Sequence, residues 1–73
     1  MASPNDPVAF ALATLRHLAR YRRIVDDADL RDRLTMRVDA VDRRAAFDRA
    51  VHLRIVRPLA GRADLFRSNA YEG

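Results

Sequence analysis

A chain of 73 residues with fourteen arginines, no lysine and no cysteine has no disulfide framework and no thiolate metal site, and it can bury only a modest core in one domain. Nine of its ten acids are Asp, and the formal charge of +4 points weakly toward an anionic partner or partner face. Met1 to Asp6 lack the basic and apolar regions of a secretory signal, and no apolar run approaches the ~20 residues of a membrane span, so a cytoplasmic location without a membrane partner is expected.

Pro4 and Pro7 punctuate a short N-terminal tail, residues 1–6. Asp6 suits the cap of a first helix with Pro7 at its first position, where a missing N–H costs nothing. Nothing between Val8 and Val25 breaks that helix. Asp26, Asp27 and Asp29 read as a fresh N-terminus, with acids at the positive end of a helix dipole. A short second helix follows, carrying Leu30 and Leu34 on one face. Thr35-Met36-Arg37-Val38 reads as a turn, although it holds neither Gly nor Pro. Asp39 then caps a third helix, with Asp42 in position for a weak capping box.

The third helix runs at least to Ala50, and beyond it two readings stay open. Val51, Leu53 and Ile55 alternate with His52 and Arg54 as in a strand. The helix can equally continue to Arg57, since Pro58 is its first clear stop. Gly61 marks a turn, from which Ala63 to Arg67 can pair back. Residues 68–73 read as a tail, and Phe66, Asn69 and Tyr71 suit an extended docking segment. The expected fold class is mainly α: a small three-helix domain over residues 7–67, with a short C-terminal β-hairpin in a winged-helix-like layout as the open alternative.

Helix one carries more apolar surface than an ordinary surface helix. At 100° per residue, Arg16, Arg20 and Arg23 share one narrow stripe. Val8, Leu12, Leu15 and Ala19 line one side of the remainder, and Phe10, Thr14, His17, Tyr21 and Ile24 line the other. Together they span roughly 260°, against the ~100° of a typical amphipathic helix. Either helix one is the centre of the core, or the Phe10–Thr14–His17–Tyr21–Ile24 side meets a second chain.

Residues 26 to 48 hold seven Asp and five Arg, while residues 1–25 and 49–73 each carry a net +3. Three pairs stand at i,i+4 spacing on solvated helix surface: Asp27 with Arg31, Asp29 with Arg33, and Asp39 with Arg43. Arg44, Asp48 and His52 also stand four apart, interrupting an apolar side formed by Val41, Phe47, Val51 and Ile55. Such a ladder is costly in a core unless it is paired internally; otherwise it faces a partner's polar groups.

Catalytic chemistry is not expected. His17 and His52 have no metal-ligand spacing, and no Gly-rich phosphate loop or nucleophile motif is present. No cofactor and no small-molecule substrate are anticipated. Two functions remain. The first is a non-enzymatic interaction protein, an accessory subunit or adaptor of a larger assembly or a homodimer, binding a protein partner or itself. The second is a helix-turn-helix or winged-helix DNA-binding regulator, with Arg43, Arg44 and Arg49 on the third helix and Arg57, Arg62 and Arg67 on the hairpin meeting nucleic acid. Its reading unit is net acidic, which opposes the phosphate neutralisation that drives such binding.

Overall fold

Asp6 opens the first helix as the sequence implies. Its Oδ1 accepts the Val8 and Ala9 N–H groups at 3.0 and 3.4 Å, and Pro7 occupies the first position of α1 (Pro7–Tyr21). The structure, a computed structural model, describes residues 6–73; of the tail expected over 1–6, all but Asp6 lies outside the described residues. Five further elements follow: β1 (Ile24–Asp26), α2 (Asp27–Arg33), α3 (Ala40–His52), β2 (Val56–Leu59) and β3 (Arg62–Ser68).

The mainly α expectation is corrected. The protein is mixed, with three helices and a three-stranded antiparallel sheet in the order β1-β3-β2. Helix one ends four residues before Val25. The β-branched Ile24 and Val25 suit a strand, and Ile24, Val25 and Asp26 pair with Arg67, Phe66 and Leu65. That pairing reaches across some forty residues, so no local breaker announces it.

Asp26 ends β1 and caps α2. Its Oδ1 accepts the Asp29 N–H at 2.8 Å, and Asp29 Oδ2 accepts the Asp26 N–H at 3.1 Å, a reciprocal capping box. Asp39 precedes α3 but makes no side-chain cap bond, and the box expected with Asp42 does not form.

After Ala50 neither the strand alternation read over Val51, Leu53 and Ile55 nor the helix extension to Arg57 forms: α3 runs on to His52 and the first strand of the hairpin begins only at Val56. Arg54 N–H donates to Val51 O and Ile55 N–H to Ala50 O, the double closure of a Schellman motif. Arg54 takes the left-handed conformation, φ +61°, that this motif usually gives to glycine. The helix therefore stops without a glycine, and the chain turns into the β2–β3 hairpin.

The core lies between the helices and the inner sheet face. Leu15, Val25, Leu30, Phe47 and Val56 are its largest fully buried side chains. Phe47 of α3 and Phe66 of β3 stack with ring centroids 4.4 Å apart. Phe66 thus belongs to the core rather than to a docking tail. From α1 the core takes Ala11, Leu15, Leu18 and Ala19, with Val8, Phe10 and Leu12 packed partly against it. Most of the wide apolar arc is thereby covered from within, because all five elements besides α1 contribute to that core.

Residues 68–72 return to the C-terminal turn of α1. The Ser68 hydroxyl donates to Ala19 O, Glu72 N–H donates to Arg20 O at 2.8 Å, and the Glu72 carboxylate pairs with Arg20. Asn69 N–H reaches Ile55 O and its side-chain amide reaches Arg54 O. The Arg23 guanidinium lies over the Tyr71 ring, 5.0 Å from its centroid.

Candidate interaction site

The outward stripe of α3 and the hairpin enclose a groove. Ala46, Phe47 and Ala50 turn inward, so Val41, Arg44, Asp48 and His52 turn out. The Arg44–Asp48–His52 ladder is exposed rather than internal, since the apolar side it was set against is itself split: Phe47 is buried while Val41 is 79% exposed. Arg44 Nε lies 3.4 Å from Asp48 Oδ1, with both side chains more than half exposed. His52 Nδ1 is 3.0 Å from Asp48 O. A carbonyl can only accept, so Nδ1 carries the proton at this contact, and the neutral tautomer that this selects has Nε2 as its acceptor.

Two adjoining hollows of about 210 and 350 Å3 share Arg44 and Phe66 in their linings. Asp27, Ala40 and Phe47 complete the first with Asp64; Asp48, Val51, His52, Pro58 and Ala63 complete the second. A larger hollow of about 570 Å3 lies at the 34–39 turn. The α3–hairpin groove is the one that reaches the stacked Phe47–Phe66 pair. Sequence reading found the ladder but missed the opposite wall, Pro58 and Ala63, which comes from the hairpin.

The five residues assigned to a partner face on helix one are not one row. Phe10 and Thr14 are half-buried, and the Thr14 hydroxyl donates back to Phe10 O. His17 and Tyr21 are exposed, with rings 5.1 Å apart. Ile24 sits on β1 and not on the helix.

The six arginines assigned to nucleic acid are dispersed. Arg43 is an internal clamp. It donates to both Asp27 carboxylate oxygens, at 2.7 and 3.0 Å, and to Val38 O at 2.6 Å, with its side chain only 12% exposed. The hydrogen bond to Asp27 raises its already high pKa. Arg44 is neutralised by Asp48. Arg62, beside the hairpin turn, pairs with Asp64, whose carboxyl this bond holds below its ordinary value. Arg57 and Arg67 stand on the sheet face turned away from the core, and Arg49 is exposed on α3.

None of the three expected i,i+4 ion pairs forms among the described residues. Asp27 instead joins α2 to α3 through Arg43, Asp29 pairs with Arg22, and Arg31 pairs with Asp32. The capping box engages Asp29, and the tertiary clamp engages Asp27 together with Arg43, the partner expected for Asp39. No group of three or more potential ligands is arranged for a metal ion, and no helix is long and apolar enough to cross a membrane, among the described residues. No protein-family model matches the chain, and neither a curated protein nor a solved structure shows significant similarity to it.

Proposed function

We propose that the protein is a non-enzymatic interaction module, an accessory subunit or adaptor, that receives a segment of a partner polypeptide in the groove between α3 and the β2–β3 hairpin. The carrying observation is the outward stripe of α3. It presents Val41, Asp48 and His52, and its cation Arg44 is already paired. An apolar partner side chain suits the floor near Phe66. Flanking polar groups of both signs suit Arg44 and Asp48, and a donor suits His52 Nε2.

Duplex DNA binding is the second reading, favoured by one observation: the order α1-β1-α2-α3-β2-β3 with strands β1-β3-β2 follows the winged-helix series, in which α3 would enter the major groove. Charge placement argues against it. Asp48 would face the phosphates, and Arg57 and Arg67 stand on the sheet face opposite the helices, so they and α3 do not form one surface for a duplex.

The test is tagged recovery from the native source of wild type and of Asp48→Arg. The proposal expects a defined protein that co-elutes with wild type and is lost with the variant. Recovery of the same protein with both, or of nucleic acid with wild type and more strongly with Asp48→Arg, overturns it.

A further inference from the structure

The outer face of the sheet carries an arrangement that the fold does not need. Val25, Val56, Phe66 and Ser68 point into the core, so the alternate positions point out. The register sets Ile24, Arg67 and Arg57 in one row across β1, β3 and β2: Arg67 of the central strand faces Ile24 on one side and Arg57 on the other. Directly opposed residues on one sheet face bring their side chains together, and like charges there destabilise the pairing. Both arginines are exposed, and neither takes part in an ion pair among the described residues. The one acid in the next outward row, Asp26 opposite Leu65, is committed to capping α2.

We infer that the outer sheet face is a second docking surface, for an acidic polypeptide segment whose carboxylates are held between Arg57 and Arg67 and whose aliphatic side chains lie on Ile24 and Leu65. Charge complementarity carries the sign of the partner. Two adjacent guanidiniums with no local counter-ion accept carboxylates in bidentate geometry, and an incoming acid removes their mutual repulsion. The neighbours select the class of partner. A sheet face that binds single-stranded nucleic acid stacks bases on aromatic rings; the outward neighbours of this pair are the aliphatic Ile24 and Leu65. The segment lies across the strands rather than extending the sheet, because edge strand β2 is interrupted by Pro58, which has no N–H to offer, and the other edge strand, β1, is only three residues long. This inference stands on the sheet register and is independent of the α3–hairpin groove.

The experiment is fluorescence anisotropy at ~150 mM salt with three labelled probes: a short peptide of alternating Asp, Glu and Leu, oligo-dT, and a random-sequence duplex. The peptide is expected to bind best. Arg57→Glu and Arg67→Glu are each expected to weaken it by about tenfold or more, whereas Arg16→Glu, on exposed α1 surface, leaves it unchanged. Thermal melts keep folding separate from binding: Arg67→Glu is expected to hold or raise Tm, since it replaces a repelling cross-strand pair with an attracting one. Failure of the peptide to bind, equal loss in Arg16→Glu, or a fall in Tm for Arg67→Glu overturns the inference. Tighter binding of either oligonucleotide, lost in the same two variants, overturns the partner class.

Discussion

Ser68, at the end of β3, donates its hydroxyl to the carbonyl of Ala19 in the last turn of α1, and the same oxygen accepts the Ala70 N–H. One buried side chain thus satisfies a helix-end carbonyl and a backbone donor in the segment that follows the sheet. Ser68→Ala leaves both groups without their partner. The expected loss is about 1–3 kcal/mol in chemical denaturation, with Tm lowered by roughly 4–8 °C per kcal/mol in a domain of this size. An unchanged midpoint would show that the contact does not hold the chain end to α1.

Arg43→Ala is expected to be more costly than removal of any other arginine in an ion pair. It strips Asp27 of two hydrogen bonds and Val38 O of one, at a nearly covered position between α2 and α3. Charge-assisted bonds of this kind contribute about 1.5–3 kcal/mol. Arg43→Lys should not restore it, because an ammonium cannot address a carboxylate and a carbonyl with one planar fork. Urea denaturation of both variants checks the expectation; full recovery with lysine would reduce the clamp to simple charge.

Asp48→Asn separates the two functional readings while barely touching the fold. Both members of the Arg44–Asp48 pair are solvent-exposed, so stability should stay within about 0.5 kcal/mol of wild type. A stranded-charge penalty belongs to an internal ladder, and this one is external. Under the interaction reading the variant gains no affinity for duplex DNA at ~150 mM salt; a clear gain would favour a DNA-reading α3.

Arg54→Gly should stabilise the protein. Arg54 holds φ +61° at the Schellman turn after α3, a conformation that costs a residue with a Cβ roughly 1–2 kcal/mol. Part of that gain is lost to the greater freedom of glycine in the unfolded chain, leaving about 0.5–1 kcal/mol. A thermal melt that moves downward instead would mean that the arginine side chain is itself held in place.

The Glu72 carboxyl should titrate below its ordinary value, because it accepts a hydrogen bond from the Arg20 guanidinium. A group whose pKa is depressed by folding adds stability above its unfolded pKa, and that contribution is lost as pH falls through the folded value. Carboxyl-carbon NMR titration should show the low value in wild type and its return to the ordinary range in Arg20→Gln. Identical titration in both proteins would remove the contact from solution.

What could be read from the sequence is what neighbours in the chain decide. The Asp6–Pro7 start and the fresh helix start at Asp26, Asp27 and Asp29 are set within a few residues, and both stand where the sequence puts them, although the capping box read at Asp39 and Asp42 forms at Asp26 and Asp29 instead. The end of α1 is set by Phe66 and Arg67 pairing back onto Val25 and Ile24, and the end of α3 by an arginine in a glycine's conformation. Neither leaves a local mark. The candidate groove was half legible for the same reason. Arg44, Asp48 and His52 show themselves by spacing four, whereas Pro58, Ala63 and Phe66 join them only once the hairpin folds over α3.

Pro58 has a consequence beyond the groove it lines. A sheet of three strands has two open margins, and exposed margins are where folded chains template one another into aggregates. One margin here is β1, only three residues long; the other is β2, four residues interrupted by a proline that cannot donate. Neither offers the unbroken run of donors and acceptors on which a fibril grows. The protein can therefore be crowded without its sheets joining into a ribbon, and Pro58→Val would open that route to aggregation.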